Sequence, residues 1–112
     1  MIKKLVFITI LSMPIASLAN FRAVQTGNDL LYDIQQGKSG DNSAAIYTTG
    51  YLRGISDFQS MIRLICLPDG VDMSQTVDIV QDFLEKNPTI RNQESDLLSA
   101  RALSQAFPCK NK

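Results

Sequence analysis

The sequence predicts an all-α fold, a four-helix bundle or slightly more, stapled by one disulfide and preceded by a cleaved signal peptide. Three observations carry that prediction. No segment alternates apolar and polar residues in strict period two between turn signals, as a half-buried strand would. Apolar residues instead recur every three or four positions in stretches separated by Gly, Pro, Ser and Asn. The chain also holds just two cysteines, Cys66 and Cys109, and no histidine.

The N-terminal stretch MIKKLVFITILSMPIASLA places Lys3 and Lys4 before an apolar run over residues 5–11 and ends in Ser17-Leu18-Ala19. That order is a secretory signal with a small-x-small cleavage site, and the run is too short to span a bilayer. Cleavage after Ala19 would leave residues 20–112 as one domain with a modest core. Loss of Lys3 and Lys4 turns a balanced chain into one with a charge of about −2. Nothing in that balance attracts nucleic acid or an anionic membrane. Arg53, Asp57 and Arg63 interrupt the longest remaining apolar pattern, so no further membrane span is expected.

Along the domain, TGNDLLYDIQQG reads as a first helix capped by Asn28 or Asp29, with Leu30, Leu31 and Ile34 on its apolar face and Gly37 ending it. The polar GKSGDNS is a loop and the segment expected to be most mobile. A long central helix is expected from Asp41 or Ser43 to about Cys66, because Tyr47, Tyr51, Ile55, Phe58, Ile62 and Ile65 recur at helical spacing. Gly50 and Gly54 lie four apart on it, at a cost of about 1 kcal/mol of helix propensity each, which points to close packing inside the subunit or against a second copy.

Pro68 and Gly70 break that helix, and Asp72 with Gln75 forms an N-terminal box for the next. Val77, Val80, Phe83 and Leu84 give the third helix its buried stripe, and Asn87-Pro88 stops it. A last helix beginning near Asn92 would present Leu98, Ala102, Leu103, Ala106 and Phe107 on one side before Pro108-Cys109.

Export decides how the cysteines are read, since thiols oxidise outside the cytosol and two of them leave one pairing. Half of a metal site is the alternative, but the chain has neither a histidine nor a Cys-x-x-Cys pair to complete it. Lack of histidine also removes the commonest general base and both Cys–His and Ser–His–Asp nucleophiles, so an enzyme is not expected. Asp78, Asp82 and Glu85, with Asp69 and Asp72 in the preceding loop, form the densest carboxylate group. A solvated helix face is the plain reading; a docking surface for a basic partner comes next, and calcium binding is poorly supported because the loop lacks repeated oxygen ligands. Arg53 and Asp57 can pair on the surface, unless Asp57 turns inward to a backbone end or a tyrosine. Tyr47 and Tyr51 read as core residues with wet hydroxyls. The residues alone thus describe an exported, stapled helical module that binds something.

Four separated pieces carry a resemblance: TGNDLL at 26–31, GYLRGISD at 50–57, CLPDGVDMSQTVDIVQDFLEKNP at 66–88 and ALSQAFPC at 102–109. In order and spacing they resemble the Tai/Rap family of type VI secretion amidase immunity proteins, over nearly the whole mature chain. Gly50, Tyr51, Gly54 and Asp57 match one family motif. Ile34 and Thr48 stand where many members have a second cysteine pair, Asp72 where a capping threonine is usual, and Asn87 where histidine is common. The resemblance implies a small periplasmic inhibitor, often a homodimer, that binds a peptidoglycan-cleaving amidase effector and blocks its catalytic cleft without cofactor or metal. On that basis Pro68, Asp69, Gly70 and Asp72 of the loop, with Asp78 and Asp82 of the acidic face, are candidate effector contacts. A plain helix connection is the competing reading of the loop. A periplasmic acid-stress chaperone, also small, helical and disulfide-held, is the rival function, and a member without a toxin partner is a third.

Overall fold

The computed structural model describes residues 25–110, so the expected signal peptide and its cleavage site lie outside the described residues. Among these residues four helices make the fold, α1 (Gly27–Lys38), α2 (Asn42–Met61), α3 (Met73–Lys86) and α4 (Ser95–Ala106), with a 3-10 turn at Pro88–Ile90. Among the described residues there is no strand beyond one isolated antiparallel bridge between Thr26 and Glu94. Leu30, Ile34, Leu52, Val80, Leu84, Leu98 and Leu103 meet in one core to which every helix contributes.

Thr26, rather than Asn28 or Asp29, caps α1. Its hydroxyl accepts from Asp29 N–H at 3.2 Å while the Asp29 carboxylate accepts from Thr26 N–H at 3.0 Å, a reciprocal capping box. Gly37 does not end α1, which runs one residue further and is closed by Ser39. The glycine instead lets two helices touch: a Cβ there would lie 2.9 Å from the backbone of Ala45. The connection shrinks to residues 39–41, turned by Gly40 at φ +109° and ended by Asp41, which caps α2.

The central helix stops at Met61, well short of Cys66. Arg63 takes a left-handed φ of +60°, and Leu64 N–H returns to Gln59 O at 2.8 Å. That corner frees residues 62–66 to leave the helix axis, bury Ile65 and carry Cys66 to the end of α4.

The orientation of α2 differs from expectation as well. Its buried face is Thr48, Leu52, Ser56 and Gln59, whereas Tyr47, Phe58 and Ile62 are exposed by 48%, 56% and 44% and Tyr51 and Ile55 are half-buried. Periodicity locates an apolar face but not what covers it. Here the inward face is short and polar, and its hydroxyls bond along their own helix, Thr48 Oγ1 to Ala44 O and Ser56 Oγ to Arg53 O. Burial of these groups therefore leaves few donors unmet. Gly50 and Gly54 sit away from the core, and a Cβ on either would meet nothing within 4 Å, so packing inside the subunit does not explain them.

In α3 the expected stripe holds: Val77, Val80 and Leu84 are buried and Phe83 packs at the edge of the core. Asn87 closes the helix, its amide donating to Phe83 O at 2.7 Å. Helix α4 begins at Ser95 instead of near Asn92, because the carbonyls before it serve α1. Gly27 N–H donates to Gln93 O and Asn28 N–H to Arg91 O, at 2.9 and 2.8 Å, satisfying first-turn donors that a helix cannot satisfy itself. A Cβ at Gly27 would come within 3.0 Å of Arg91 O, so only glycine permits this approach. Leu98, Ala102, Leu103 and Phe107 are buried as expected, but Ala106 faces outward.

Candidate functional site

Two surfaces flank α2. On the side toward α3 lies the loop of residues 67–72, fixed at both ends. Cys66 is joined to Cys109 with a Cα separation of 4.9 Å, and its N–H donates to Phe107 O at 3.0 Å. At the far end Asp72 caps α3, its carboxylate accepting from Gln75 N–H at 2.8 Å and from Ser74 Oγ at 2.7 Å. Between these anchors Pro68, Asp69 and Gly70 are exposed, and Gly70 adopts φ +86°, a conformation that favours glycine. A shallow depression of about 320 Å³ beside the loop is lined by Asp57, Leu67, Val71 and Asp72.

The hydrogen bonds from Gln75 and Ser74 hold the Asp72 carboxyl below the usual carboxylate range. Since its folded value is depressed, its stabilising contribution is complete above the ordinary aspartate value and fades as pH falls through the depressed one. Asp72→Ala is therefore expected to lower the melting midpoint at neutral pH, with the gap to wild type closing in acid below that depressed value. Melting curves over a pH series check this; a constant gap would show that the cap does not act through the ionised carboxylate.

The other acidic candidates do not join the loop. Asp78 pairs with Lys38 of α1, while Asp82 pairs with Lys86 one turn along α3 at 2.8 Å. Glu85 accepts from Gln81 Nε2 at 2.9 Å. These contacts match a solvated face whose charge is largely compensated locally, and exposed pairs of this kind contribute little to stability. Asp57 does not turn inward; both its oxygens accept from Arg53 Nε, at 3.0 and 3.2 Å, on the surface.

The second surface, which helical periodicity had assigned to the core, is a groove of about 590 Å³ between α2 and α4. Gly54, Ile55, Phe58, Leu64, Leu97 and Ala100 give it a mostly apolar wall. Tyr51 forms one end, its hydroxyl 2.7 Å from Ser95 Oγ and its ring stacked 6.0 Å from Tyr47. Burial pushes the Tyr51 hydroxyl up from its ordinary value, so it stays protonated as a structural group. The sequence signal for this surface was the glycine pair on a helix that also carries the aromatic stripe. Sequence alone does not say that the stripe faces outward.

Chemically the described residues offer surfaces for binding. Both sulfurs are in the disulfide, and among the described residues no group of three His, Cys, Asp or Glu side chains is placed to hold a metal. No helix among them is long and apolar enough to cross a membrane. A family model described as Rap1a immunity proteins matches residues 26–109, a span that holds all four helices and both cysteines. No curated protein and no solved structure matches the chain.

Proposed function

The chain belongs to the Rap1a immunity proteins, and from that premise we propose that it binds and inhibits a peptidoglycan amidase effector of type VI secretion by occluding its catalytic cleft. Its place of action is the periplasm, reached through the signal peptide cleaved after Ala19. Membership of an immunity family supports reading it as an inhibitor rather than a catalyst, with the effector as its protein partner.

The observation that carries this reading is the exposed loop of residues 67–72, held at one end by the Cys66–Cys109 bond and at the other by the Asp72 cap. An inhibitor gains affinity from a surface ordered before binding, because ordering it afterwards would subtract from the association free energy. Pro68, Asp69 and Gly70 form the tip that enters the cleft, and the partner supplies the cysteine and histidine chemistry that this chain lacks. A contact of standard size would bury roughly 800 Å² on each partner.

The test is to export a type VI peptidoglycan amidase from the same genome to the periplasm, with and without the immunity protein. Survival and an intact wall only when this chain is exported too, together with co-purification of the pair, is the expected result. Lysis regardless of the chain would overturn the reading. Suppression of client aggregation near pH 3 without any amidase binding would replace it with the chaperone reading. Sedimentation of the free chain reports self-association in the same material.

A further inference from the structure

Helix α2 carries a cost that nothing among the described residues offsets. Gly50 and Gly54 each sacrifice about 1 kcal/mol of helix propensity relative to alanine, yet a Cβ at either position would stand in open space. Beside them Phe58, Leu64 and Leu97 are exposed by 56%, 57% and 50%, and Met61 by 71%. Glycine there keeps the groove open, since any side chain at residue 54 would project into the space it lines.

The charge on the rim narrows what fits. Among the described residues, the only charged ones lining the groove are Glu94 and Asp96, and neither forms an ion pair with another of them. Gln59, 3% exposed, also lines the groove. Its Nε2 is pinned by Ala100 O at 3.0 Å and Ser104 Oγ at 3.2 Å, while its Oε1 is buried with no donor. That oxygen has no surface open to the groove, so Gln59 is part of its fixed floor and not a contact for an occupant.

We propose that the α2–α4 groove is a second docking surface for the effector, taking a segment that inserts a large apolar side chain next to a lysine or arginine that pairs with Glu94 and Asp96. The proposal rests on the immunity reading and adds to it where and by what chemistry the partner is held, on the side of α2 opposite the loop. The volume suits one or two such side chains, within the common range of roughly 300–1,000 Å³ for binding pockets. A second copy is the poorer occupant. A two-fold contact sets the same patch against itself, so it would bring two acidic rims together with no cation from the lining.

Gly54→Leu tests this directly. It raises helix propensity and its Cβ meets no described atom, so the melting midpoint should hold or rise, while affinity for the purified amidase should fall by at least about 30-fold, as at a hot spot. A charge-reversed rim, Glu94→Lys with Asp96→Lys, should slow association and weaken its salt dependence. Binding by folded Gly54→Leu with wild-type affinity would overturn the groove and leave the immunity reading standing. Failure of the wild-type chain to bind the amidase at all would remove both. A wild-type dimer that Gly54→Leu dissociates, with amidase affinity unchanged, would make the groove a self-contact and overturn the proposal.

Discussion

Cys66→Ser is expected to lower the melting midpoint by roughly 15–30 °C under oxidising conditions, the largest single effect available without touching the core. The two cysteines are 43 residues apart in sequence, and closing a loop of that length removes denatured-state entropy worth about 4 kcal/mol on the chain-entropy model. A domain of this size has a total stability of only about 5–15 kcal/mol, and each kcal/mol moves its midpoint by about 4–8 °C. The native contacts nearby survive the change, because Cys66 N–H still donates to Phe107 O. Cys109→Ser and the double variant should therefore match Cys66→Ser, since all three remove the same cross-link, and reduced wild type should join them. Circular dichroism melts with and without reductant give the comparison. An unchanged midpoint in Cys66→Ser would show that the bundle does not depend on the bond.

The same bond connects stability to the function proposed for the loop. Residue 66 is the fixed point from which residues 67–72 leave the core, so its release loosens the exposed tip before it unfolds the helices. At temperatures where Cys66→Ser is still folded, it should bind the amidase more weakly than wild type, because the loop must then be ordered on binding.

What was legible from residues alone follows from which elements have a single amphipathic solution. Helix α3 places Val77, Val80 and Leu84 against a strongly polar opposite face, and only one orientation buries them. The disulfide followed from parity and from the expectation of export. Helix α2 has two solutions, because its small, polar face of Thr48, Ser56 and Gln59 packs as closely as its aromatic one and satisfies its own hydroxyls. Helix boundaries failed where the backbone serves a distant segment, as the carbonyls of Arg91 and Gln93 do for α1. Glycine permits close contact at Gly27, on which the residues alone gave no signal, and at Gly37, which pattern alone takes for the end of α1, while Gly50 and Gly54, the pair that spacing points to, face outward. The groove itself joins α2 and its exit with residues 94–100, a juxtaposition that only tertiary packing creates.

That reversal of α2 yields the second large effect. Leu52, fully buried, packs in the core with α1, α3 and α4, so Leu52→Ala should destabilise the domain by about 2–5 kcal/mol through lost transfer energy and the cavity left behind. Phe58, two turns away on the same helix, removes more apolar volume when truncated, yet Phe58→Ala should change stability by no more than about 0.5 kcal/mol because the ring is 56% exposed. Were the aromatic stripe the core, as helical spacing alone predicts, the order would invert and Phe58→Ala would cost about 3–5 kcal/mol. Urea midpoints of the two variants decide between these arrangements without reference to any partner. Amidase affinity then gives a second, crossed readout. Phe58→Ala should weaken binding while leaving the fold intact, whereas folded Leu52→Ala should bind normally. A stability loss at Phe58 equal to that at Leu52 would return the stripe to the interior and remove the wall on which the groove depends.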